Sequence, residues 1–262
     1  MNSLKLLIVI ILLHCFFFIY LHANLNVTPN SDIDNFKEAI LAYQNNNWIK
    51  ALDYFLLTEK SGLKNPSLYF NIGNAYYRNN DIANAIVYYK KALLLDSSFN
   101  PARKNLDFML SITQDKQVDL EENNLSLFLV RIFYFFSINS LFILSFIMLF
   151  IVIVLVHLQW FFSENDNTII KFLTLIFIFV FLGFSSLTWS RSYLVKNNNE
   201  AVIMESTVYV YSGPSEDFTR LFTIREGTVL KIHKEERNWT QITTLSGYSG
   251  WITSDTFKKI AY

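Results

Sequence analysis

The residues of this chain whose types could do covalent or metal chemistry are four histidines, one cysteine and a serine-bearing turn, and their spacing supports neither kind of reaction. His14 and His22 fall in or beside an apolar N-terminal stretch, His157 in a long apolar run and His233 in an alternating one. None has a cysteine or carboxylate at metal-ligand spacing. Cys15 is alone and cannot form an intramolecular disulfide. Ser212-Gly213-Pro214-Ser215 has no nearby base to activate a hydroxyl and reads as a turn. Asn26-Val27-Thr28, Asn124-Leu125-Ser126 and Asn238-Trp239-Thr240 fit the short glycosylation sequon by chance. No catalytic residue, metal ligand or cofactor site is predicted. With 22 basic and 22 acidic side chains, net charge +0 and no basic block, nucleic-acid binding is excluded too. What remains is non-covalent recognition.

The elements that must position such a surface begin with a membrane anchor. Leu141–Phe162 and Ile169–Trp189 are apolar runs of 22 and 21 residues joined by Ser163-Glu164-Asn165-Asp166-Asn167-Thr168. A helix of either length rises about 30 Å at 1.5 Å per residue, enough to cross a bilayer core. Only Ser145 interrupts Leu141–Val156, so no face of that helix is polar. The flanking segments are too small to enclose such a hairpin in a soluble core. Met1–Ala23 opens with Lys5, runs through apolar residues to Tyr20 and ends on a small residue, which predicts a secretory signal peptide. Leu21 stands where a small residue is usual at a cleavage site, so an uncleaved anchor is the alternative. A lipidated Cys15 is disfavoured by the bulky His14 before it.

From Ser31 to Lys116 the pattern is helical and repeats every 34 residues, pairing Ala39 with Gly73, Trp48 with Ile82, Ala51 with Ala85 and Phe55 with Tyr89. The second copy, Tyr69-Phe70-Asn71-Ile72-Gly73-Asn74-Ala75-Tyr76-Tyr77-Arg78-Asn79-Asn80-Asp81 followed by Ala85-Ile86-Val87-Tyr88-Tyr89-Lys90-Lys91-Ala92-Leu93, resembles the tetratricopeptide repeat. That resemblance implies paired helices crossing closely at Gly73 and Ala85, with Tyr76, Tyr89 and Leu93 filling the space around them. The first copy carries Ala42 and Thr58 where a tyrosine and an alanine are expected, and Ser97 replaces the proline expected after the second. Asn100-Pro101 predicts a further helix capped by Asn100, with Ala102, Leu106, Met109, Leu110 and Thr113 as its apolar stripe. Two repeats and this cap make a short solenoid.

The concave face is the usual binding surface of such arrays. The family's groove positions fall on Phe36, Ile40, Tyr43 and Gln44 in the first copy and on Phe70, Asn74, Tyr77 and Arg78 in the second, with Lys104 and Phe108 from the cap helix. Only Asn74 and Lys104 fit a clamp for a terminal carboxylate, and Phe36 stands where a lysine is wanted. An aromatic protein-binding groove is therefore expected, against the plain alternative that these side chains only cover the inner face.

After the acidic linker Gln117–Asn124, residues 125–136 form an apolar run containing Arg131. It reads as a helix lying at the membrane interface or as an extension of the first membrane helix. Ser137-Ile138-Asn139-Ser140 is a helix start. An exported N-terminus followed by two crossings places both soluble parts on the periplasmic side of a bacterial inner membrane; the sparse charges around the hairpin add little.

From Ala201 to Tyr262 the period changes to two, in short runs separated by turn residues, which predicts a small all-β barrel. Val208-Tyr209-Val210-Tyr211-Ser212-Gly213-Pro214-Ser215, Glu226-Gly227-Thr228, Trp239 and Gly250-Trp251-Ile252 resemble the bacterial SH3 domain. Gly213 and Gly227 are expected to supply turn conformations that other residues resist. Tyr209, Tyr211, Trp239 and Trp251 are the candidate ligand surface, although core or rim packing is the favoured reading of the two tryptophans.

The order of signal, short repeat array, interfacial run, membrane hairpin and SH3-like domain resembles the BatE-type proteins of the bacterial aerotolerance operon. This implies an assembly role beside membrane-anchored von Willebrand A-domain proteins and, indirectly, a MoxR-type ATPase, under oxidative or envelope stress. The expected function is a membrane-anchored scaffold. The alternative is a cell-wall sensor whose SH3 domain binds peptidoglycan.

Overall fold

A computed structural model describes residues 30–113, 133–161 and 168–260. The expected signal at 1–23, the acidic linker, residues 125–132 of the interfacial run and the hairpin loop at 163–167 lie outside them. The chain divides into two compact units, Met1–Leu63 and Lys64–Tyr262.

The first unit is a helical hairpin of α1 (Asn30–Gln44) and α2 (Trp48–Lys60). Its turn needs one residue in the left-handed region, and Asn46 adopts it with φ 58°. Asn47 then caps α2 by accepting from the Lys50 amide at 3.2 Å. Ala39, Ala51 and Phe55 are fully buried, with the Phe36 ring 5.7 Å from Phe55 in an edge contact. Thr58, where the repeat pattern asks for alanine, is also buried. Its hydroxyl donates to the Tyr54 carbonyl at 2.9 Å, so no polar group is left unsatisfied.

The second unit opens with the same design one period later, in α3 (Pro66–Arg78) and α4 (Ile82–Leu95). Asn80 has φ 65°, and Asp81 caps α4 through the Asn84 amide at 2.9 Å. A Cβ on Gly73 would lie 2.7 Å from the Tyr89 ring, so the close crossing depends on glycine. The cap helix α5 (Asn100–Ile112) buries Ala102, Leu106 and Met109. Asn100 does not cap it: the helix already includes Asn100, and Phe99 precedes it without a side-chain cap bond. The preceding turn explains this. Ser98 bonds Asp96 through its amide and its hydroxyl, and the Phe99 amide reaches the Asp96 carbonyl at 3.1 Å.

Two helices long and apolar enough to cross a membrane follow, α6 (Ile138–Phe161, 24 residues) and α7 (Thr168–Lys196, 29 residues). Ser137 starts α6 by accepting from the Ser140 amide at 3.1 Å, which separates it from the helical turn at 133–135. α7 continues past the predicted end at Trp189 to Lys196. Near the connecting loop, Gln159 donates to the Thr174 hydroxyl, which donates to the Ile170 carbonyl at 2.7 Å. Polar pairs of this kind pin helix–helix register in an apolar surrounding.

The chain ends in a seven-stranded antiparallel sheet: β1 (Glu200–Ile203), β2 (Thr207–Tyr211), β3 (Arg220–Arg225), β4 (Val229–Glu236), β5 (Trp239–Thr244), β6 (Ser249–Thr253) and β7 (Phe257–Lys259). The strand order is β3-β2-β6-β5-β4-β1-β7. The core is aliphatic, from Ala201, Ile203, Val208, Val210, Ile224, Leu230, Ile232, Ile242 and Ile252. Gly227 takes φ 80°, as its turn demands. Gly213 corrects the expectation: its φ is not left-handed, and its small size serves a close approach, since a Cβ there would lie 2.6 Å from the Phe218 ring.

Candidate functional site

In the second unit the predicted groove residues lie on α3 and α5, which meet through them. Phe70 packs on Tyr89 at 6.0 Å and edge-on to Phe99 at 5.7 Å. One turn further along α3, the Asn74 side-chain oxygen accepts from the Tyr89 hydroxyl at 2.8 Å and from Asn105 at 2.9 Å. Another turn on, Tyr77 meets Phe108 of α5 edge-to-face at 6.2 Å. The arrangement is thus three layers: an aromatic layer, a hydrogen-bonded amide layer and a second aromatic layer. Tyr77 and Phe108 keep 36% and 50% of their surface exposed, so the outer aromatic layer is open to a ligand. Arg78 and Lys104 are exposed.

Asn74 is already engaged by Tyr89 and Asn105, which braces it rather than freeing its oxygen for a ligand. Asn105 was not anticipated from sequence. An asparagine at a three-residue step after Ala102 signals a polar position beside the buried stripe, but only the crossing of α3 and α5 reveals its partner. In the first unit, Phe36 and Ile40 are half-buried, and Tyr43 packs edge-on to Trp48 at 4.7 Å. Gln44 at the end of α1 is exposed.

The four aromatic candidates of the sheet fall on one face. Tyr211 pairs with Trp251 across β2 and β6, and Trp251 pairs with Gln241 of β5, two residues from Trp239. The alternate residues Val208, Val210, Ile242 and Ile252 fill the core on the other face. Tyr211 is buried, and its ring stands edge-on to Trp239 at 5.4 Å. Tyr209 is 46% exposed, and the Arg220 guanidinium lies 4.3 Å from its ring centre and 5.8 Å from that of Tyr211. Arg220 therefore sets a cation within an aromatic strip. It was missed in the sequence because it lies on β3, whose register against β2 shifts at Val210/Tyr211 and brings it opposite Tyr211.

The other side of this domain rests on α4. Lys90 and Glu200 form an ion pair at 2.9 Å, and Lys258 reaches Asn84 at 2.8 Å with its ammonium 5.3 Å from the Tyr88 ring. The Glu226-Gly227-Thr228 turn touches the helices directly. A Cβ on Gly227 would lie 2.8 Å from Thr113 and 3.2 Å from Ile86. Gly227 thus answers two demands, the left-handed turn and the helical surface beneath it.

Residues 66–99 match the tetratricopeptide repeat model and residues 206–258 the bacterial SH3 domain model. Comparison with curated proteins returns no match. Both matched families are interaction modules, and neither is an enzyme family.

Proposed function

We propose that this protein is a membrane-anchored scaffold, in which α6 and α7 hold the chain in a bacterial inner membrane and the repeat helices capture a partner protein on the side of Phe70, Asn74 and Tyr77. The observation that carries this reading is the open aromatic layer of Tyr77 and Phe108, set on an amide layer that is already satisfied. The first unit carries Phe36, Ile40 and Tyr43 at the positions one period earlier, and in the second unit Arg78 and Lys104 add exposed cations. Aromatic and arginine side chains of this kind dominate interface energetics, each costing about 2 kcal/mol or more on truncation at a hot spot. The order of modules supports a place beside von Willebrand A-domain membrane proteins and, through them, a MoxR-type ATPase, in an envelope assembly that serves aerotolerance or stress resistance. Both soluble parts then face the periplasm. The test is capture from native membranes by crosslinking: the double change Tyr77→Ala, Arg78→Ala removes the captured partner while the circular dichroism spectrum is retained.

A second reading is favoured by the strip of Tyr209, Arg220, Tyr211, Trp239 and Trp251 on a bacterial SH3 domain, which suits a cell-wall ligand. Purified sacculi distinguish the two. Retention that depends on Tyr209 and Arg220 favours the wall-binding sensor, and its absence favours the scaffold.

A further inference from the structure

Arg191 is 2% exposed, although it follows an apolar run and carries a full charge. Its guanidinium donates to the carbonyls of Phe133 at 2.9 Å and Phe136 at 3.3 Å and to the Ser97 hydroxyl at 3.0 Å. It also lies 4.5 Å from the centre of the Tyr134 ring. Ser97 donates its hydroxyl to the Tyr134 carbonyl at 3.0 Å, and its own carbonyl accepts from Arg103 at 2.6 Å. One cation thus ties α7, the turn before α6 and the turn between α4 and α5. Ser97 is the residue that replaces the repeat's expected proline, and a proline has no hydroxyl to offer this junction.

Exposed aromatic side chains flank the residues of the junction along the chain. Phe135 is 69% exposed and Trp189 72%, with Tyr134, Phe136 and Tyr193 beside them in sequence and also exposed. The rise along α7 from Ile169 to Trp189 is about 30 Å, the thickness of a hydrocarbon core. Trp189 therefore falls at its edge and Tyr193 one turn into the headgroups, where tryptophan and tyrosine are favoured because their rings are apolar and their tips polar. At the opposite end of the hairpin, Trp160 is likewise exposed.

We infer that the Ser97–Arg191 junction seats the second repeat on the bilayer, with Tyr134, Phe135, Phe136, Trp189 and Tyr193 as the surface covered by phospholipid headgroups and the first acyl carbons. The guanidinium is held by three protein acceptors, so it serves as the fastening and the exposed aromatic side chains as the lipid contact. This rests on the reading of α6 and α7 as membrane-spanning.

The test uses the full chain in phosphatidylcholine vesicles containing lipids brominated at carbons 6 and 7 or at carbons 11 and 12. The contribution of Trp189 is the difference between the wild type and Trp189→Phe. Quenching at least twofold stronger from the shallow bromines is expected, whereas equal, deeper or no quenching overturns the proposal. Ser97→Ala and Arg191→Lys report on the fastening. Each should raise amide hydrogen exchange at 133–137 at least tenfold while the chain stays resistant to carbonate extraction. Unchanged exchange in both variants overturns the junction's role. Extraction of the wild type by carbonate would instead remove the membrane-spanning reading itself, and the inference with it.

Discussion

At the scale of single residues, small side chains and short polar ones decide where larger elements meet. Gly73 admits the Tyr89 ring, and Gly73→Leu is predicted to destabilise the second repeat by about 1–3 kcal/mol, because a Cβ already collides with that ring before three further carbons are added. Thermal melting of the detergent-solubilised chain, followed by far-UV circular dichroism, checks this, and an unchanged melt would show that the helices cross elsewhere. The amide layer offers a gentler probe. Tyr89→Phe removes the hydroxyl that donates to Asn74 and accepts from Asn105 at 3.3 Å, while the Asn105 bond to Asn74 at 2.9 Å remains. A loss of about 1 kcal/mol is expected, because the Asn74 oxygen keeps its Asn105 donor when the Tyr89 hydroxyl is gone. The same melt reads it.

At the scale of elements, the β domain and α4 share a face on which glycine again sets the contact. Gly227→Ala introduces strain at φ 80° and pushes a methyl group against Thr113 and Ile86. The predicted outcome is release of the β domain from α4, seen as faster proteolytic cleavage in the Asn197–Asn199 connection, with the aliphatic core of the sheet intact. The Lys90–Glu200 pair is expected to matter less. Its side chains keep 16% and 25% of their surface exposed, and a double-mutant cycle should return a coupling of about 1 kcal/mol or below. A coupling several times larger would make that ion pair, rather than the Gly227 turn, the main fastening between the β domain and α4.

At the scale of the whole molecule, the proposed membrane-spanning reading has α6 and α7 return the chain to the side from which it entered, so on that reading the helical repeats and the β domain are expected in one compartment. A reporter active only outside the cytoplasm should give signal when fused after Tyr262 and none when inserted at Asn165. The opposite pattern would reverse the proposed orientation and the reading of Met1–Ala23 as an export signal.

Local order was legible in the sequence because it repeats or alternates over short distances. The 34-residue period placed Gly73, Ala85 and Tyr89 at the helix crossing, two apolar runs marked α6 and α7, and period-two runs separated by turn residues marked six of the seven strands; β7, only three residues long and carrying two lysines, has no such pattern. The same alternation put Tyr209 and Tyr211 on one face. What only the tertiary structure decided are contacts between residues far apart in the chain. Arg191 reads as an ordinary charge after an apolar run until Phe133 and Ser97, 58 and 94 positions away, supply its acceptors. Glu200 meets Lys90 across 110 residues and Lys258 meets Asn84 across 174. Ser97 was visible as a departure from the repeat pattern, but its purpose was not. Hydrophobic periodicity reports which face of an element leaves water, whereas the partner of a buried charge is set by how separate elements pack, and no local pattern encodes that.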